Sequence, residues 1–261
     1  MTRENRILEL DSLRGFAIFM MILHHFIFDL RYLLGLDVFA FQESDFFQDV
    51  VRGVFVAIFV VVSGICCRFS KNNLRRSFKM FIASVLFSLV MAGVSLVAKT
   101  ELFVFFNVLH LLTVGTFLQG LASYLYARKE HDPATEFVSF RRRQVLLLLL
   151  ALLLIAGDQL VGMFPNVNSY FLLPFGFSPK STPGMADYLP ILPWLGFFFV
   201  GVVIGNTSYR DRKSLLPNIP SFLCSVLSPF AWIGRNSLWI YLLHQPIILG
   251  ILFGLRFLGL I

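Results

Sequence analysis

Apolar residues in this chain gather into runs of about twenty, separated by short polar gaps, and about twenty residues is what a helix needs to cross the hydrocarbon core of a bilayer. Seven runs approach that size: 13–34, 50–67, 78–98, 107–126, 145–163, 190–205 and 237–260. A further apolar piece, 221–232, is too short to cross and is expected to lie at the interface or re-enter. No Gly/Ser/Pro linker separates the runs, so the pattern predicts one domain over residues 1–261. That domain is an all-α polytopic transmembrane bundle of about seven spans, eight with the short piece. The first run is too long for a signal-peptide core and no small-residue cleavage site follows it, so it should remain as the first span.

Composition agrees: 57% of the residues are hydrophobic and only 14% charged, against about 45–50% and 25% in soluble domains. A net charge of +7 would suggest nucleic acid in a soluble protein, but here the basic residues are sorted by side. With the N-terminus cytoplasmic, the inner segments hold Arg3, Arg6 and Arg14, then Arg68, Lys71, Arg75, Arg76 and Lys79. Arg128, Lys129, Arg141, Arg142 and Arg143 follow, then Arg210, Arg212, Lys213 and Arg235. Of 22 basic residues, only Arg31, Arg52, Lys99, Lys180 and Arg256 lie outside. The positive-inside rule selects this orientation, which implies a cytoplasmic (inner) membrane and lipid contacts, and no nucleic-acid partner. The first outer loop carries Asp37, Glu43, Asp45 and Asp49, and the third, 164–189, is rich in Asn, Ser, Pro and Gly. Such loops suit a polar extracytoplasmic ligand. Cys66, Cys67 and Cys224 have neither metal-ligand spacing nor an even count, so no metal or disulfide framework is expected.

Ionisable groups at membrane depth cost about 3 kcal/mol on insertion scales and are functional candidates by default. His25 lies about 18 Å along the first span at 1.5 Å per residue. Asp29 is four residues on and shares its face, so its carboxylate can orient the imidazole or form a purely structural link. His24 points about 100° away, toward a neighbour or lipid. Arg52 opens the second span, His110 the fourth with Asn107 just before it, and Asp158 lies near the outer end of the fifth. Arg52 can instead snorkel to the interface, His110 rest there, and Asp158 cap its helix. His244 lies about 11 Å along the last span. Pro246, two residues later, removes a backbone bond, which fits either a lined cavity or a histidine bonded to a freed carbonyl. At the cytoplasmic mouths, Arg14 beside Gly15 and Arg235 beside Gly234, with Asn236 next, can hold phosphate bidentately; most such arginines only meet lipid phosphates. A basic inner mouth, imidazoles midway and polar outer loops fit an anionic cytosolic donor and an extracytoplasmic acceptor.

The stretch LELDSLRGFAIFMMILHHFIFDL resembles the first-helix signature of the heparan-alpha-glucosaminide N-acetyltransferase catalytic-domain family, in its short bacterial form. Asp11, Arg14, Gly15, His25, Phe26, Asp29 and Leu30 carry the match. RGVFVAIFVVVSGICCRFS, NVLHLLTVG (with Asn107 in a glycine's place), ADYLPILPWLGFFFVGVVIG and IGRNSLWIYLLHQPII follow in order. The related acyltransferase-3 enzymes also carry a first-helix histidine after Arg-Gly. The resemblance implies a transmembrane acyltransferase with acetyl-CoA as co-substrate rather than resident cofactor, and a sugar or envelope glycan as extracytoplasmic acceptor. His25 would be catalytic base or transient acyl carrier, oriented by Asp29. Arg52, His110 and Asp187 would bind the acceptor or polarise the thioester carbonyl. Arg14, Arg235, Asn236 and His244 would line the CoA path. The large lumenal extension of the animal enzymes is missing, so heparan sulfate is not implied. A homodimer is compatible with all of this.

Two rival readings follow from the same residues. In a proton-coupled transporter, His25, Asp29 and His244 relay protons while the inner arginines hold an anionic or lipid-linked substrate. In a non-catalytic membrane subunit, the bundle holds an envelope-assembly partner. The chain shows no internal repeat of the kind many secondary transporters carry.

Overall fold

The structure, a computed structural model, describes residues 7–98, 104–128, 133–161, 163–164, 169–177 and 188–259. All regular structure among them is helical: α1 Leu8–Phe28, α2 Arg52–Ile65, α3 Asn73–Ala98, α4 Val108–Ala127, α5 Pro133–Val161, α6 Ile191–Thr207, α7 Ser221–Arg235 and α8 Ser237–Phe257. Six of the described helical segments are long and apolar enough to cross a membrane, and α6 is apolar but only 17 residues long. The expected seven runs are thus all helices, and this is a multi-pass membrane protein. The expected starts of the third and fifth runs are too late. α3 begins at Asn73 and α5 at Pro133, so Arg75, Arg76 and Arg141–Arg143 ride on helices: Arg and Lys are good helix formers, and a basic turn prolongs a span into the headgroups.

The chain divides into two compact units, Met1–Val62 with Lys213–Ile261, and Ser63–Arg212. In the first, α1 packs most extensively on α7. Close approach is possible because both helices present small residues there. A Cβ on Gly15 would overlap the Phe230 carbonyl, and one on Gly234 would overlap the Asp11 carbonyl. Ser12 Oγ donates to the Leu227 carbonyl at 3.2 Å, and the rings of Phe16 and Phe19 close edge-on against Phe230. The short piece expected to lie at the interface is therefore a 15-residue helix tightly bound to α1. At the start of α1, the buried Glu9 carboxylate accepts a bifurcated bond from the Ser214 hydroxyl, 2.9 Å from each oxygen, and a second bond from the Leu215 N–H. α1 ends in a π-helical turn, Asp29–Leu33, and α2 is preceded by a π-helical segment, Phe46–Val51. Such wide turns are frequent at functional sites.

In the second unit α3 packs on α4 and α5 on α6, with α4 meeting α6. The outer faces of α3 and α5 stay apolar and exposed, through Phe78, Phe81, Ile82, Leu86 and Leu89 and through Leu146, Leu149, Leu153 and Leu160. Lipid covers such faces at no hydrophobic penalty, so nothing selects for polarity there.

Candidate functional site

The first unit gathers several of the polar groups expected at membrane depth. His25 on α1 and His244 on α8 bring their rings to 5.2 Å between centroids, and His24 lies 5.7 Å from His25. His24 does not turn to lipid: its ring stacks obliquely on Phe47 at 5.8 Å. Arg52, the first residue of α2, is within electrostatic reach of both His24 and His25. His244 Nδ1 is 2.7 Å from the carbonyl oxygen of Tyr241. A carbonyl only accepts, so Nδ1 carries the proton and Nε2 is the basic nitrogen. The carbonyl that Pro246 leaves without a helical donor is that of Leu242, so this histidine is not there to satisfy it.

Asp29 is 6% exposed, and its Oδ2 accepts a 2.9 Å bond from Gln245 Nε2. The expected partner on its own helix face was His25; the carboxylate instead ties α1 to α8. Gln245 Oε1 and His24 Nδ1 are buried without a hydrogen-bond partner. Buried polar atoms are nearly always paired, and two unpaired ones beside an imidazole cluster are what a polar ligand would satisfy.

The other expected residues are placed as follows. Arg14 lies in the second turn of α1, not at its start, and Arg235 is the last residue of α7, not the first of α8. Their glycine neighbours are filled by each other's helix backbone, so the small side chain there serves packing and not the approach of a ligand. Asn236 donates from Nδ2 to the Trp232 carbonyl at 2.9 Å, closing the end of α7.

In the second unit, fully buried Asn107 caps α4: its Oδ1 accepts from the N–H groups of Leu109 at 3.1 Å and His110 at 3.4 Å. His110 Nδ1 is 2.8 Å from the same oxygen and 3.4 Å from the Asn107 backbone nitrogen, whose N–H donates to it, so cap and ring form a reciprocal capping box. Asparagine in place of the family's glycine is thus a stronger N-cap, and it orients a histidine as well. Asp158 is half-buried in the last turn of α5. A carboxylate faces the wrong end of the helix dipole there, so it is no cap. Asp187 lies outside the described residues.

Sequence reasoning missed two groups. Gln245 carries no role in the sequence pattern IGRNSLWIYLLHQPII, although an amide next to a histidine at membrane depth is a signal for one. Arg31 organises the outer loop. Its Nη1 donates to the Val38 carbonyl at 2.6 Å and to Asp37 at 3.2 Å, and its Nη2 to Glu43 at 2.8 Å. Tyr32 Oη adds a 3.0 Å bond to Glu43, and the two donors, Arg31 above all, hold the Glu43 carboxyl below its ordinary range. A lone arginine and a spread of carboxylates give no register in sequence from which to foresee this clasp.

A family model described as heparan-alpha-glucosaminide N-acetyltransferase, catalytic, matches residues 6–246. No curated protein and no solved structure matches the chain.

Proposed function

Because the chain belongs to the heparan-alpha-glucosaminide N-acetyltransferase catalytic family, a family of acetyltransferases, we propose that it moves an acetyl group from cytosolic acetyl-CoA to an amino or hydroxyl group of an extracytoplasmic sugar or envelope glycan, in a cytoplasmic membrane. The observation that carries this reading is the His24–His25–His244 cluster with its buried, amide-held Asp29 and two unpaired polar atoms.

In this proposal a ring nitrogen of His25 takes the proton from the acceptor N–H or O–H as that atom attacks the thioester carbonyl. The new C–N or C–O bond forms, the C–S bond breaks, and the departing thiolate receives the proton from the imidazolium. Alternatively a ring nitrogen of His25 attacks the thioester carbonyl and displaces the CoA thiolate, and the acceptor N–H or O–H then attacks the acyl-imidazole, displaces the imidazole and gives up its proton to it. Arg52 supplies positive charge for the oxyanion. His244, with Nδ1 committed to Tyr241, offers Nε2 as a second proton acceptor. Arg14, Arg235 and Asn236 hold the donor's phosphates, and His110 and Asp187 contact the acceptor. A carrier would also use buried histidines, but family membership favours transfer.

Membranes containing the protein are incubated with acetyl-labelled acetyl-CoA and the labelled product is identified. Transfer to a glycan that disappears in His25→Ala is the expected outcome. If the purified protein neither binds CoA nor loses turnover in His25→Ala, the acyltransferase reading fails. Acid-stable label on the protein itself would select direct acylation of a residue other than histidine, since acyl-imidazole hydrolyses readily.

A further inference from the structure

The second unit contains a pocket of about 320 Å³ lined by none of the residues assigned above. It is built where the end of α2, the start of α3, and the ends of α4 and α6 come together. Its lining includes the cations Arg68, Lys71 and Arg212 and no carboxylate. The positive-inside rule puts this end in the cytoplasm.

Three features make it more than a basic surface. Arg68 is held in place, its Nη2 donating to the Arg210 carbonyl at 2.8 Å, while its Nε is buried without a partner. Asn73, the first residue of α3, donates from Nδ2 to the Cys67 carbonyl at 3.0 Å and leaves Oδ1 buried and unpartnered. The floor is formed where Gly120 of α4 meets the first turn of α3; a Cβ there would stand 2.8 Å from the Leu74 nitrogen. The start of a 26-residue helix therefore adds its partial positive charge to the three side chains. Among the described groups acting on Arg68, Asp211 is the acidic one, set against Arg210 and Arg212.

We propose that this pocket binds a phosphate-bearing headgroup from the cytoplasmic side. A phosphate ester offers several acceptor oxygens and one to two negative charges, which suits an arginine fork, a lysine and a helix terminus better than a single carboxylate does. The volume lies at the lower end of small-molecule sites, about 300–1,000 Å³. It accommodates a phosphorylated headgroup or nucleotide fragment. Two sources carry this chemistry: a soluble phosphorylated nucleotide and the headgroup of an anionic phospholipid.

The test uses the full chain in phosphatidylcholine nanodiscs, with and without phosphatidylglycerol. Adenosine 3′,5′-bisphosphate binding is measured in the neutral discs, and co-retained phosphatidylglycerol is read by native mass spectrometry in the mixed ones. Lys71→Gln/Arg212→Asn removes two exposed cations, and asparagine tolerates the left-handed backbone at Arg212 (φ 57°). Lys79→Gln, an exposed cation farther along α3 that does not line the pocket, controls for overall charge. At least one probe should bind the wild type and Lys79→Gln alike and the double variant at least tenfold more weakly. The nucleotide arm identifies a soluble ligand, the lipid arm a headgroup. Should the double variant not elute as folded protein, Lys71→Gln alone is read the same way, with a threefold loss expected. The proposal is overturned if neither probe binds the wild type, if the pocket variants bind as tightly as the wild type, or if Lys79→Gln weakens binding as much as the pocket variants. Binding is read without turnover, so a wild-type protein that transfers no acetyl group yet binds a probe in a pocket-dependent way leaves the pocket standing while the acyl-transfer reading fails.

Discussion

Gln245 on α8 donates a 2.9 Å hydrogen bond to Oδ2 of Asp29, the first residue of the π-helical turn that ends α1. The bond leaves one α1 carboxylate satisfied by a neutral amide from another helix. Gln245→Leu removes the donor and strands a buried carboxylate, at a cost of about 1–3 kcal/mol. The expected result is a lower melting temperature and, because Asp29 sits one turn from His25, a loss of turnover of about tenfold with a smaller change in KM. Gln245→Asn, which keeps the amide, should recover part of the melting temperature.

His25 and His24 should not be equivalent. Removing a general base costs about 10²–10⁴-fold, so His25→Ala is expected to fall in that range. His24→Ala, which loses a ring packed on Phe47, should lose less than tenfold. Initial rates with saturating acetyl-CoA decide it, and the reverse order would move the base to His24.

Gly15 has no room for a side chain. Gly15→Val would drive its Cβ into the Phe230 carbonyl, a backbone group that no rotamer change can move aside. The cost should exceed the about 1–3 kcal/mol of ordinary overpacking. Size-exclusion profiles of the detergent-solubilised protein should show aggregated or absent Gly15→Val, whereas Gly53→Ala, with open space around it, should elute as wild type.

The clasp on the first outer loop should be pH-dependent. Hydrogen bonds from Arg31 and then Tyr32 lower the Glu43 carboxyl below its ordinary 4.5. A depressed folded value means the clasp is complete above 4.5 and is lost as the pH falls through the lowered value. Amide exchange in residues 34–45, after correction for intrinsic rates, should therefore be slower at pH 7 than at pH 3. Glu43→Gln should exchange quickly at both.

Asn107→Ala should weaken the start of α4 by about 1 kcal/mol and release the His110 ring from its contact with the Asn107 side chain. Asn107→Asp keeps an acceptor at Oδ1, so it should hold stability near wild type. Thermal unfolding of the two variants distinguishes a capping role from mere burial.

The arrangement of spans was legible in the chain because a bilayer imposes one rule everywhere: backbone polar groups must be satisfied within each crossing segment, so each span announces itself as a local apolar run. The residues from Asp11 to Leu30 pointed to the family in the same local way, and a family model matches residues 6–246. The helix starts were harder to read, since basic turns extend α3 and α5 beyond their apolar runs. What only the tertiary structure decided was which polar groups meet. His25 and Asp29 are four residues apart and were expected to pair, yet Asp29 binds Gln245, 216 residues away in the chain, and His25 faces His244. Gly15 and Gly234 flank the arginines expected at the donor's mouth, and each is closed by the other's helix. Lipid is as apolar as leucine, so apolar periodicity carries little information about helix partners inside a membrane. Close contact between small residues and a few directional hydrogen bonds choose the partners, and neither leaves a period in the sequence.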